Sequence, residues 1–200
     1  MSGGFPHTHS SGTDGSHATA VERFLRRLLT ATSVSSATQA AVDTTRECLD
    51  TDLSWCGTIS GDNLTMAAHC GLRTTEMMAI WRLKVGQGVG GRVARDGRPL
   101  ISRDYRRDPR RVPVMKSLID AEGITSTLVV PLLNGSEVLG VLYAAERESR
   151  EWTAAEQDLM DTLGRDTGVA LARIRQHHVS ETHAERAESA HRMQIGRAHV

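Results

Sequence analysis

Gly86, Gly88 and Gly91 spell G-x-G-x-x-G, with Asp104 about 20 residues beyond the first of them. Such a run can open a helix against a pyrophosphate, the acid then holding a ribose hydroxyl. Three features oppose that chemistry here. Ile80-Trp81-Arg82-Leu83-Lys84-Val85 alternates apolar and basic residues, unlike a central parallel strand. The helix after the glycines meets Gly97-Arg98-Pro99 too soon for a crossover. No further βαβ unit follows. The glycines therefore read as a sharp turn and a close helix–sheet contact, although the helix's free N–H groups could still meet an anion or a ligand carbonyl.

Other candidate groups are weaker. Arg103, Arg106, Arg107, Arg110 and Arg111 share one loop with Asp104 and Asp108. They could grip a carboxylate or phosphate bidentately, but internal pairing in solvent, which contributes little, is the favoured reading. Cys48, Cys56 and Cys70 are odd in number and lack C-x-x-C spacing, so neither a disulfide framework nor a zinc site is implied. They read as buried thiols. His7, His9 and His17 are loosely spaced for a metal. His69 invites a haem-ligand reading, against which a structural histidine on a strand is preferred.

The elements that position these groups follow from periodicity and turn chemistry. Val21, Phe24, Leu25, Leu28 and Leu29 mark one helix face. A second helix is expected after Ser36, with Gln39 completing a capping box. Leu53–Ile59 and Leu64–Cys70 form a hairpin around Gly61-Asp62-Asn63. Short helices are expected at 76–80, 89–95 and 114–121, with Leu100-Ile101 as a short strand. Thr127–Leu132 and Val138–Ala144 are the clearest strands, joined by Asn134-Gly135-Ser136. Thr153 and Glu156 open a long helix to about Met193, with Leu159, Leu163, Ala170 and Ile174 on its apolar face and Val169 and Leu171 beside it. The fold class is α+β, with an antiparallel sheet of five to six strands, helices on both sides and a long C-terminal exit helix.

Gly86-x-Gly88-Val89-Gly90-Gly91-Arg92-Val93-Ala94, Gly97-Arg98-Pro99-Leu100 and Asp104-Tyr105-x-x-Asp108-Pro109 together resemble the middle of a GAF domain. Glu122-Gly123-Ile124, Leu128-Val129-Val130-Pro131-Leu132 and Val138-Leu139-Gly140-Val141-Leu142 continue the likeness, which spans about 20–176. It is nearest to GAF domains of actinobacterial regulators that precede a PucR-type helix-turn-helix; similar ones precede histidine kinases and phosphatases. The resemblance implies a ligand pocket on the sheet face opposite the long helices. Its walls would be Trp55, Cys70, Trp81, Val89, Tyr105, Met115, Leu118 and Thr127, placements that a one-residue register slip would reverse. The Asn-Lys…Phe…Asp-Glu pattern of cyclic-nucleotide members is absent, as is an equivalent of the bilin-attaching cysteine. A sulfoxide-reductase member would need cysteines beside the pocket, and none follows Cys70. The expectation is the small-molecule sensor of a transcriptional regulator, of unknown ligand and cofactor, not an enzyme and with no metal site; the alternatives are a sensor of a histidine kinase or phosphatase, or a structural dimerisation module without ligand.

Composition sets outer bounds. Twenty-four basic residues balance 24 acidic ones, so no field of one sign draws this segment to nucleic acid. No apolar run approaches the roughly 18 residues of a membrane span, and Met1–His17 lacks a signal-peptide pattern, so a cytoplasmic location is expected. Residues 1–17 read as a disordered tail, 18–176 as the sensor domain and 177–193 as a helical linker to an output domain. Gln194-Ile195-Gly196-Arg197-Ala198-His199-Val200 back-translates to CAG-ATC-GGA-AGA-GCA-CAC-GTC, resembling a sequencing adapter, so 194–200 are expected to be foreign to the natural chain. Homodimerisation through the N-terminal and exit helices is the expected assembly.

Overall fold

Strand alternation and turn residues with positive φ build the sheet from two hairpins. The computed structural model describes residues 11–197. In chain order it contains α1 (Ser11–Thr30), α2 (Val34–Leu49), β1 (Leu53–Ser60), β2 (Asn63–Cys70) and α3 (Thr75–Ile80). There follow β3 (Arg82–Lys84), α4 (Gly88–Asp96), β4 (Leu100–Ser102), a 3-10 turn (Pro113–Met115) and α5 (Lys116–Glu122). Strands β5 (Ser126–Asn134) and β6 (Glu137–Glu146) and the long helix α6 (Ala154–Arg197) complete it.

The six strands lie in the order β3-β2-β1-β6-β5-β4. Every pair is antiparallel, so the parallel sheet of a dinucleotide fold is absent among the described residues. The glycine run does structural work instead. Gly86 and Gly88 have φ of +89° and +68°, conformations that a Cβ would disfavour.

Two apolar layers sandwich the sheet. On one face α1, α2 and α6 bury Phe24, Leu28, Ala40, Leu128, Leu142, Met160, Leu163 and Leu171. On the other, Trp55, Trp81, Val89, Tyr105, Met115, Leu118 and Tyr143 lie under α3, α4, the 3-10 turn and α5. Helix α6 sits unusually close to β5. An added Cβ would stand 2.6 Å from the Pro131 carbonyl oxygen at Gly164, and 2.5 Å from the Leu133 nitrogen at Gly168. Arg173 then fastens α6 to the end of α1, donating to the carbonyls of Leu28 and Ala31 at 2.8 and 2.9 Å.

Some local expectations shift. Helix α2 starts at Val34, because Ser33 and Ser36 supply both halves of the capping box. Gln39 instead donates to Asp43 and to the His69 carbonyl. The Thr153–Glu156 box forms as expected, each side chain capping the other's backbone N–H. Val169, placed beside the apolar face, is 56% exposed. Helix α1 begins at Ser11, inside the segment read as a tail; residues 1–10 and 198–200 lie outside the described residues. No described helix is long and apolar enough to cross a membrane.

Candidate functional site

The layer under α3, α4 and α5 gathers seven of the eight expected wall residues. Trp55 from β1 faces Tyr143 from β6 across the strand pair, and their rings stack at 4.1 Å and 14°. Trp81, at the end of α3, meets Tyr143 edge-on at 5.9 Å and 90°. Val89 comes from the first turn of α4, Met115 from the 3-10 turn, Leu118 from α5 and Tyr105 from the loop after β4. Thr127 shares their face through its strand partner Ala145. All eight side chains of this set, Tyr143 included, are at most 8% exposed. The room expected for a ligand is taken up by the chain's own rings. The described surface grooves, of about 280 to 680 Å³, lie elsewhere, the largest between Ala31, Arg173, Ile174 and His177.

Cys70 is not part of this layer. Its side chain packs with the helical layer, 3.5 Å from Arg46 Nη1. The reason is a β-bulge: Cys56 opposes Ala68, but Gly57 opposes Met66. The extra residue, Ala67, reverses the alternation along β2. Leu64 therefore points to the aromatic layer, whereas Ala68 and Cys70 point away. Cys56 also lies on the helical side, where burial pushes its thiol far up.

Tyr143 was not among the expected wall residues. Its alternation with Val141 and Ala145 was the available signal, once β6 is paired with β1.

The electrostatics of the layer are simple. Burial pushes the phenols of Tyr105 and Tyr143 up, with Asp108 adding to the rise at Tyr105, so both are neutral at ordinary pH. Among the described residues five buried polar atoms have no hydrogen-bond partner; Trp55 Nε1, Thr127 Oγ1 and the Tyr143 hydroxyl belong to this layer, whereas Trp152 Nε1 lies in the helical layer and Thr51 Oγ1 precedes β1. The Gly90 N–H faces that hydroxyl without reaching hydrogen-bonding geometry. Leaving such groups unmet costs about 1–3 kcal/mol each.

Charged groups hold the rim. Glu122, fully buried at the end of α5, accepts from the N–H groups of Arg73 and Thr74 and from the Thr74 hydroxyl at 2.6–3.0 Å. Arg147 lies 3.3 Å from the same carboxylate and donates to the carbonyls of Glu122 and Gly71. In the arginine loop, internal pairing prevails: Arg107 lies against Asp104, and Arg110 grips Asp108 at 2.6 Å. Arg111 pairs with Asp120.

Burial opposes the charge of Asp108, yet Arg110 and the Ser102 hydroxyl hold its carboxyl down at about 2. A depressed carboxyl adds stability that is complete above its unfolded value, near 4, and lost as pH falls towards 2. Asp108→Asn is expected to remove on the order of 1–2 kcal/mol at neutral pH and to flatten the stability profile between about pH 4 and 2. Urea titrations at stepped pH measure both.

A family model described as GAF domain matches residues 31–172. Among solved structures, the chain is similar to the GAF domain of a phosphoenolpyruvate-protein phosphotransferase (ptsP) from Coxiella burnetii, with a TM-score of 0.73 and 20% identity over 84% of this chain and 99% of that one. It is similar to the free methionine-R-sulfoxide reductase of Neisseria meningitidis, solved with its substrate, with a TM-score of 0.69 and 17% identity over 86% and 97%. Both show the fold alone. In sequence, 87 residues are 37% identical to the HTH-type transcriptional activator RamA of Corynebacterium glutamicum, over 43% of this chain and 31% of that protein. The match thus spans about a third of the relative. With the antiparallel sheet, the two layers and the family match in agreement, the chain belongs to the GAF domain family, a family of sensor and signalling modules.

Proposed function

We propose that this chain is the small-molecule-sensing module of a cytoplasmic transcription regulator, binding its ligand in the aromatic layer without turning it over. The carrying observation is the set of unpartnered polar atoms on Trp55, Thr127 and Tyr143, buried together beneath α3–α5. The partial identity to a helix-turn-helix activator supports the regulatory setting; this segment itself, with balanced charge, makes no direct contact with nucleic acid.

A route from site to exit helix supports the sensing role. Thr74 is tied to Glu122, Glu122 to Arg147, and the Arg147 N–H to Asp52 at 2.9 Å. Asp52's own N–H is held by Glu146, which pairs with Arg150, and Arg150 reaches Glu156 in the first turn of α6. Ligand binding biases α6 by its differential affinity for two arrangements of these elements. The module acts as a homodimer, its outer faces on α1 and α6 carrying Leu25, Leu29 and Val169, exposed by 42%, 76% and 56%. Leu29→Glu is expected to convert dimer to monomer in light scattering, and an unchanged mass removes α1 from the interface.

The direct test is a thermal-shift screen against uncharged aromatic compounds. A binder raises the midpoint with the logarithm of its concentration. Tyr105→Ala is expected to weaken that binder roughly ten-fold while the free domain still folds, the loss of one well-placed contact being worth about 1.4 kcal/mol. Unchanged affinity takes Tyr105 out of the site. A screen without binders favours ligand-free dimerisation, the reading that the ring-filled interior would then support.

A further inference from the structure

One ring of the aromatic layer comes from the connection between β2 and β3. Trp81 is carried by the last turn of α3, a six-residue helix, and its ring lies over Gly57, where an added Cβ would meet its Cη2 and Cζ3 at 2.7 Å. The sheet thus leaves a place without a side chain, and the indole occupies it, edge-on to Tyr143. Trp81 is 5% exposed, yet with it in place the Trp55 N–H and the Tyr143 hydroxyl, on the adjacent strands β1 and β6, still have no partners. The indole supplies the shape that the space requires and none of its hydrogen bonds.

The segment bearing Trp81 hangs between two fixed points. At one end Glu122 holds Arg73 and Thr74; at the other, β3 pairs with β2 from Arg82 to Lys84. Between them, Ile80 is 61% exposed. An outward turn of Trp81 can therefore be offset in part by burying Ile80, since both are apolar and adjacent.

We propose that Trp81 is a built-in stand-in for the ligand, and that the site takes an uncharged, planar ring system of about indole size with an oxygen acceptor on its edge. The ligand displaces the Trp81 ring, meets Tyr143 edge-on as that ring does, and accepts from the Trp55 N–H. The ligand is uncharged because the rings of Trp81 and Tyr143 are buried and apolar, and burying an isolated charge against them is costly. This rests on the reading of the layer as a ligand site and adds the ligand's class and the way in.

The test uses the whole chain carrying 5-fluorotryptophan, with indole and oxindole as probes. Three tryptophans give three fluorine resonances, assigned by replacing each with phenylalanine. Oxindole is expected to move the Trp81 resonance saturably towards that of an exposed indole, and to bind more tightly than indole, which lacks the oxygen. Trp81→Ala, with no ring to displace, is expected to bind oxindole roughly ten-fold tighter, an affinity otherwise reduced by the fraction of open sites. Oxindole binding that leaves the Trp81 resonance in place overturns the stand-in while keeping the ligand site. No binding of either probe by either protein overturns the ring class. If Trp81→Ala does not fold, the wild-type titration decides alone. The stability of Thr127→Val, which involves no probe, tests the underlying site independently.

Discussion

Glu122→Ala is expected to destabilise the chain by about 3–5 kcal/mol, the range for breaking a buried ion pair from one side. Two backbone N–H groups, the Thr74 hydroxyl and the Arg147 guanidinium all converge on this carboxylate, which has no exposed surface. Its removal leaves three donors unmet and takes the carboxylate from Arg147, which keeps only the Glu122 and Gly71 carbonyls and Asp52. Burial works to raise the Glu122 carboxyl, but Thr74, Arg73 and Arg147 overcome it and hold the carboxyl below its usual range. The stabilisation is therefore present above about pH 4 and lost as pH falls through the depressed value. Glu122→Gln keeps the volume but turns an amide donor towards donors, so it falls between wild type and alanine. Urea denaturation at pH 7 reads the loss. Hydrogen exchange should place the first opening at 73–81, the segment leading to Trp81. A loss below about 1 kcal/mol, the level of an exposed pair, would mean that the network does not hold this rim.

Gly168→Ala is expected to cost about 2–3 kcal/mol. Two effects compete. Alanine gains up to about 1 kcal/mol in helix propensity over glycine, while overpacking typically costs 1–3 kcal/mol, occasionally more. The clash should win, because the new Cβ would meet the Leu133 backbone nitrogen and carbon at 2.5 Å. Those atoms are backbone of β5, held there by pairing with β6, and cannot yield as a side-chain end can. Gly164 makes the same approach to Pro131 one turn earlier, so α6 cannot tilt about one contact to relieve the other. Asp158→Ala, at an exposed position on the same helix, serves as the control and should stay within about 0.5 kcal/mol. Denaturant midpoints with unchanged slopes measure both. A stabilised Gly168→Ala would show that α6 stands farther from the sheet.

The same contacts show what could be read from the chain alone. Both hairpins, the short helices and the Thr153–Glu156 cap were legible because each rests on local periodicity or on turn and capping residues a few positions apart. The aromatic layer was partly legible, since a face follows from alternation within a strand. That logic fails at Ala67, where a bulge moves Cys70 to the opposite face, and a bulge leaves no mark in the order of residue types. Tyr143 escaped notice because its role depends on β6 lying beside β1, a pairing between segments far apart in sequence. Glu122 and Arg147 were hidden for the same reason, one of them reaching partners 49 positions away. Gly164 and Gly168 sit in an ordinary helical stretch, and only the neighbouring strand shows why neither carries a side chain.

The central claim is that the layer under α3–α5 keeps polar atoms unmet because a ligand will meet them. Thermal unfolding of Thr127→Val without ligand tests it most directly. The valine keeps the shape and removes a fully buried hydroxyl that has no partner. The expected result is a gain of about 1 kcal/mol, a rise in midpoint of a few degrees for a domain of this size. A fall in the midpoint would mean that the hydroxyl already contributes to the free fold, and would contradict the assignment of this layer as a ligand site.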